Sequence, residues 1–281
     1  MTNSCIIFSV TILSKDREFV LRRFLETFKS KFSDSDFYIG INPGSLDNIE
    51  DIINEYKLNS QIARADVSLY SESDASAYQI ALKLLYDSNK KYDNYWFIHT
   101  KSGVNSHSDY LREWYINNFL NRRENIEIIL SNKDIGSYGI LGLEYDPNRH
   151  YNETDTEISL WENNISDELP YTHANFFYIH TLYVLTHEPM EKFFKLITNS
   201  WFNSKLDRYY FEGIFPFIVS RSGYFPYLEN EISMNGTNLN YYQTDWLKTN
   251  QLESKYNYLL NTFKTNYNFN QLAPPYVNSN T

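Results

Sequence analysis

Residues 92–103 read YDNYWFIHTKSG, and this stretch decides the fold. Tyr95-Trp96-Phe97-Ile98 has the aromatic and β-branched content of a strand buried on both faces, as in a parallel α/β sheet. The run stops on His99-Thr100-Lys101 before a serine and a glycine. In open α/β sheets, ligands sit beyond the carboxyl ends of the strands. A buried strand that ends in two cation-capable side chains is therefore a candidate binding edge. A strand's two-residue period places His99 and Lys101 on one face and Thr100 on the other.

Working outward, residues 6–13 read as another buried strand, followed by a helix over 17–32 with Asp16 as its N-cap. A strand over 37–41 ends in the turn Asn42-Pro43-Gly44-Ser45. A helix over 46–56, a short strand over 61–67 and an amphipathic helix over 75–86 complete the approach to the opening strand. This alternation implies a mostly parallel sheet with helices on both faces, an α/β, Rossmann-like class. Beyond it the pattern predicts a helix over 109–130, a strand over 137–143, a polar loop over 146–167 and an apolar stretch over 175–185. Helices over 190–201 and 208–220 follow. Residues 235–281 are polar and Asn-rich, with one helix over 247–263, and form a C-terminal appendage on the domain of residues 1–234.

The chain has 281 residues, 42% of them hydrophobic and 17% aromatic, which excludes disorder over most of its length. Its net charge is −10 and it carries no Lys/Arg block, which argues against nucleic acid and anionic membrane as partners. The single cysteine, Cys5, excludes a disulfide framework and fits a reducing compartment. The N-terminus lacks a basic n-region, and no stretch approaches the ~18 apolar residues of a membrane span. The expectation is a cytoplasmic protein with no integral membrane segment.

Phosphate loops of the GxGxxG and GxxxxGK[ST] types are absent, as are GxSxG, HExxH and cysteine pairs for zinc. His173, His180 and His187 recur at intervals of two helical turns, about 10.5 Å, too far apart for two of them to share one ion.

Ser9–Asp16 (SVTILSKD) with the helix after it resembles the opening strand and helix of GT-A glycosyltransferases. Asn42-Pro-Gly-Ser-Leu-Asp47-Asn48 resembles the Asp-Asp-Gly-Ser-x-Asp turn of that class, with Asn42 and Pro43 in place of the two leading acids. The fourth strand of the fold ordinarily ends in Asp-x-Asp, which holds ribose and metal; here His99-Thr-Lys101 stands there. A group of bacterial and viral rhamnan-synthesis and capsule-type glycosyltransferases has His-Thr-Lys-Gly at this place. It then has a helix with a Trp-Arg pair, a Gly-Asn-Phe-Trp-Trp segment and an Arg-x-x-x-Glu motif. This chain is similar, with IHTKSG at 98–103, Arg112-Glu-Trp114, Ala174-Asn175-Phe176-Phe177-Tyr178 and Arg208-Tyr-Tyr-Phe-Glu212 in that order. Trp-Arg is inverted, Ala174 replaces Gly, and both later tryptophans are replaced.

The resemblance implies a GT-A-like sheet and transfer of a sugar from a nucleotide-sugar donor, UDP- or GDP-type, to a glycan or glycolipid acceptor, with surface polysaccharide synthesis as the setting. Leu13, Ser14, Asp16, Asn42 and Asp66 would contact the nucleotide, and His99 and Lys101 the diphosphate. His173, Asn175 and Arg208 would lie toward sugar or acceptor, with Glu212 as base of an inverting reaction. The chemistry of the residues agrees. Lys101 is a fixed cation for a leaving diphosphate. His99 can donate to phosphate or ribose, or ligate a metal. A divalent metal (Mg or Mn) is expected to be dispensable, because an ammonium stands where a carboxylate ordinarily holds it. Glu212 is one helical turn from Arg208, as either a base or a surface ion pair. Asp66 is either a nucleotide contact or a turn residue, and Glu72 and Asp74 either ligands or helix N-terminal charges. A non-catalytic sugar- or nucleotide-binding protein on a decayed transferase scaffold is the alternative.

Overall fold

The computed structural model describes residues 2–69, 74–101, 103–104, 106, 109–139, 142–144, 176–178, 182–197, 199–206, 211, 215, 218–219 and 224–228. The strands are β1 (Ser4–Val10), β2 (Asp36–Ile41), β3 (Ser60–Arg64), β4 (Asn94–His99), β5 (Ile135–Gly139), β6 (Gly142–Glu144), β7 (Phe176–Tyr178), β8 (Tyr183–Thr186) and β9 (Phe225–Leu228). The helices are α1 (Glu18–Lys31), α2 (Ile49–Glu55), α3 (Ala75–Ser88), α4 (Asp109–Asn118), α5 (Arg123–Leu130) and, after β8, α6 (His187–Leu196).

A seven-stranded sheet runs β3-β2-β1-β4-β8-β5-β9, and β6 pairs with β7 separately. Within the large sheet only β8 runs against its neighbours, antiparallel to both β4 and β5. The fold is therefore a mostly parallel α/β sheet flanked by helices, as the alternation of periods predicts. The chain steps outward from β1 to β2 and β3, then returns over the sheet to β4 on the other side of β1. Strand order reverses between β1 and β4, and such a switch opens a crevice at the strands' carboxyl ends.

Strand periodicity divides the core. Ile6, Phe8 and Val10 with Trp96 and Ile98 face one side, where α1, α2, α4 and α5 bring Phe24, Phe28, Ile53, Ile116 and Ile126. Cys5, Ile7, Tyr95 and Phe97 face the other side, against Tyr78 and Leu82 of α3 and Met190 and Phe193 of α6. Every residue of β1 and β4 is buried, which is why both read as largely apolar runs without polar alternation. Gly40 lets α3 close onto β2, since a Cβ there would lie 1.8 Å from the Ala77 carbonyl oxygen.

Several boundaries differ from the sequence pattern. The helix over 109–130 is broken after Asn118, and a 3₁₀ turn over Leu120–Arg122 links its halves. Asp16 is no N-cap: the chain first winds a 3₁₀ turn over Lys15–Arg17, and Arg17 stands at the cap place with no side-chain bond to the helix amides. The strand over 137–143 divides into β5 and β6, and the stretch over 175–185 yields β7 and β8. The loop over 146–167 and the appendage over 235–281 lie outside the described residues. Among the described residues, no helix is long and apolar enough to cross a membrane.

Candidate active site

The carboxyl ends of β1 and β4 meet at the switch point. Ser9 lies opposite His99 in the parallel ladder, and the Thr100 amide donates to the Ser9 carbonyl (3.0 Å). The Thr11 amide donates to Thr100 Oγ1 (2.8 Å), which donates back to the Thr11 carbonyl (3.2 Å). This side-chain closure ends the ladder at His99. The Lys101 amide then donates to the His99 carbonyl (2.8 Å) and that of Gly103 to Thr100 (3.0 Å), so the chain turns at once. The expectation that His99 and Lys101 share a strand face is corrected here: Lys101 belongs to the turn, because Thr100 spends its hydroxyl on β1.

Period two still places His99 on the face of Tyr95 and Phe97, the face covered by α3. There its Nδ1 lies 2.8 Å from Oδ2 of Asp74, with the imidazole side chain 10% exposed. Asp74 is the N-cap residue of α3, yet it forms no side-chain cap bond. Its backbone is held twice: its carbonyl accepts from Ser9 Oγ (2.9 Å) and from the Tyr78 amide (2.9 Å). Burial pushes the Asp74 carboxyl up, but the His99 imidazole, with Lys101 behind it, prevails and holds it well below the usual carboxylate range. Carboxylate, imidazole and ammonium thus form one cluster built from α3, β4 and the turn after β4.

The remaining expected residues fall at different places. Leu13 and Ser14 are half-buried just past β1, and Asp16 is exposed. Asn42 is fully buried: its amide donates to Ser76 Oγ (3.2 Å) while its Oδ1 accepts from the Gly44 amide (3.0 Å). It fastens the turn after β2 to the first turn of α3. Ser45 Oγ accepts from the Ile12 amide (3.1 Å), so the same turn is tied to the end of β1. Asp66 is exposed beyond the edge strand β3, and its carboxylate accepts from the Ser68 amide (2.7 Å), a bond that holds it below the usual range. His173, Asn175, Arg208 and Glu212 lie outside the described residues; Phe211 is buried against Tyr78, with its carbonyl accepting from the Tyr183 hydroxyl (2.9 Å).

Sequence reasoning passed over two features. One is the pairing of Asp74 with His99, for which strand parity was the available signal. The other is Arg17. Its guanidinium and that of Arg112 are buried, both bond to Asp109, and both lie on the Phe19 ring, at 4.8 and 5.0 Å from its centroid. This ties the start of α1 to the start of α4, on either side of the switch point. Among the described residues, no cluster of three or more His, Cys, Asp or Glu could hold a metal ion.

No protein-family model matches the chain, and no curated protein does. Solved structures that it is similar to include core-mannan synthase A (CmsA/Ktr4) from Aspergillus fumigatus in its Mn/GDP form. That match has a TM-score of 0.39 and 10% identity, over 79% of this chain and 70% of the other. The mannosyltransferase Ktr4p from S. cerevisiae in complex with GDP gives 0.37 and 9%, over 80% and 69%. Glucosyl-3-phosphoglycerate synthase from Mycobacterium tuberculosis in complex with phosphoglyceric acid gives 0.33 and 12%, over 67% and 58%. These are likenesses of general architecture, and nothing about chemistry follows from them.

Proposed function

We propose that the chain is a GT-A-like glycosyltransferase that moves a sugar from a nucleotide donor to a glycan or glycolipid acceptor in surface polysaccharide synthesis, in the cytoplasm. The observation that carries this reading is the Asp74–His99–Lys101 cluster at the strand-order switch point. The sequence resemblance to the His-Thr-Lys-Gly group, which adds Arg112-Glu-Trp114 and Arg208-x-x-x-Glu212, also supports it.

When the acceptor oxygen displaces the nucleoside diphosphate from the anomeric carbon, negative charge grows on the leaving phosphate. A cation fixed beside it stabilises the transition state more than the ground state. Lys101 takes that part, with His99 at the same diphosphate. Leu13, Ser14 and Asp16 border the nucleotide at the end of β1. Asn42 acts through the turn that it fastens, and Asp66 stands at the outer rim. Glu212 removes the acceptor's proton in an inverting displacement, with His173, Asn175 and Arg208 on the acceptor side. A divalent metal (Mg or Mn) is not essential.

The missing Asp-x-Asp favours a second reading, a non-catalytic sugar- or nucleotide-binding protein on the same scaffold. A thermal-shift screen across UDP- and GDP-sugars, followed by an assay for slow donor hydrolysis, separates the two. A ligand at 100 times its dissociation constant adds about 2.7 kcal/mol of stability. A donor that stabilises the protein and is slowly hydrolysed supports the transferase; stabilisation without turnover supports the binder. If no nucleotide sugar stabilises the protein, the transferase reading is wrong.

A further inference from the structure

Asp ranks among the best N-cap residues because its carboxylate can accept from the first free amides of a helix. Asp74 holds the N-cap place of α3 and forgoes that bond. Its carboxylate instead meets His99 Nδ1 at 2.8 Å. The other ring nitrogen, Nε2, is buried and has no hydrogen-bond partner, and the same is true of Thr11 Oγ1 at the end of the adjacent strand. His99 and Thr11 are 8% and 5% exposed. A buried polar atom without a partner carries an unreturned desolvation cost. Trp96 Nε1 and Ser35 Oγ are also buried without a partner, but singly; two such atoms together on neighbouring strand ends, beside a cation, mark a place prepared for a polar ligand.

The surroundings choose the ligand's charge. The described charged groups facing His99 are Asp74 from α3 and Lys101 from the turn after β4. β1 brings the hydroxyl of Ser9, and Thr11, just past the strand, brings another, while the Tyr183 hydroxyl of β8 is engaged with the Phe211 carbonyl. Lys101 offsets the one carboxylate, and the amino end of α3 adds its positive dipole. An anion is the ligand these groups favour.

We propose that Asp74 is a positioning residue for His99: it holds the Nδ1 edge of the imidazole so that Nε2 meets a diphosphate oxygen of the nucleotide donor, with Thr11 Oγ1 beside it. This deepens the transferase reading and rests on it for the donor. Asp74 does not touch the ligand. Ser9 Oγ, by fixing the Asp74 carbonyl, keeps the carboxylate in register with β4.

The test uses the full chain with 15N-labelled histidine, His99 being assigned by its absence in His99→Gln. Pyrophosphate, UDP, GDP, uridine and guanosine are titrated in turn. Pyrophosphate and the diphosphates are expected to move the Nε2 resonance while the Nδ1 signal keeps its bonded character. Asp74→Asn and His99→Gln are each expected to weaken diphosphate binding about 10- to 100-fold, the range of a lost charge-assisted bond. Because the two residues act as one unit, the double variant is expected to bind no worse than His99→Gln alone. Fully additive losses, or Asp74→Asn binding like the parent, overturn the positioning role. A Nε2 response to the nucleosides and none to pyrophosphate overturns the diphosphate assignment, as does silence toward every probe. The parent spectrum decides this even if Asp74→Asn fails to fold. Should Nε2 respond to pyrophosphate while no nucleotide sugar binds, the anion site stands and the transferase reading falls.

Discussion

His99 and Lys101 are adjacent to one carboxylate yet differ in what their removal does. Lys101 sits in a turn, and on the proposed reading it faces the diphosphate in both ground and transition states. Lys101→Ala is expected to weaken nucleotide-sugar affinity and slow transfer together, by about 1.5–3 kcal/mol in binding. Glu212→Gln is expected to leave donor affinity nearly unchanged while transfer falls roughly 10²–10⁴-fold. Calorimetric donor binding beside a transfer assay reads both, and parental transfer by Glu212→Gln would show that the base lies elsewhere. At the opposite end of the strands, Asp36 is a control. Burial pushes its carboxyl up, but Lys90 (2.8 Å) and the Tyr92 hydroxyl (2.5 Å) prevail and hold it below the usual value. A depressed carboxyl stabilises the fold fully above the unfolded value of about 3.9 and loses that contribution as pH falls from there through the lower folded value. Urea denaturation should therefore show Asp36→Asn less stable than the parent at pH 7, with the gap narrowing below pH ~4, and with donor affinity unaltered.

At the scale of elements, two glycines separate stability from function. A Cβ on Gly40 would meet the Ala77 carbonyl oxygen at 1.8 Å and Ile80 Cγ2 at 2.7 Å, so Gly40→Ala must push α3 from β2. Overpacking of this kind costs about 3 kcal/mol, read as a lower thermal midpoint. A Cβ on Gly103 would lie 2.1 Å from the Thr11 carbonyl oxygen and 3.1 Å from that of Thr100. Neither oxygen can yield, since both belong to the closure that ends β4. Gly103→Ala is expected to shift the turn that bears Lys101 and to weaken nucleotide binding about tenfold or more, with a smaller loss of thermal midpoint than Gly40→Ala. Equal binding by parent and Gly103→Ala would detach that turn from the site.

For the molecule as a whole, the decisive property is where strand order reverses. On the proposed transferase reading, Lys101 in the cluster at that point supplies the cation for the leaving diphosphate. Nucleotide-induced stabilisation is therefore expected to survive EDTA. A thermal shift abolished by EDTA and restored by manganese would show that a metal is held after all.

Local chemistry was enough for much of this protein. The apolar runs of β1 and β4 and the helical spacing of α1 and α3 specify their own elements, because each buries a face at the period of its backbone. With Asn42 and the turn after it, they also point to a parallel sheet and to His99 at its edge. What they left open depends on partners remote in sequence. The break between α4 and α5 and the insertion of β8 between β4 and β5 carry no local signal strong enough to read. Asp74 reads equally well as a helix N-terminal charge or a ligand until α3 is laid against β4. Only then does its carboxylate find an imidazole 25 residues on in sequence rather than the amides beside it. Which carboxylate meets which cation is settled by strand order and side-chain parity together, and those are properties of the folded sheet.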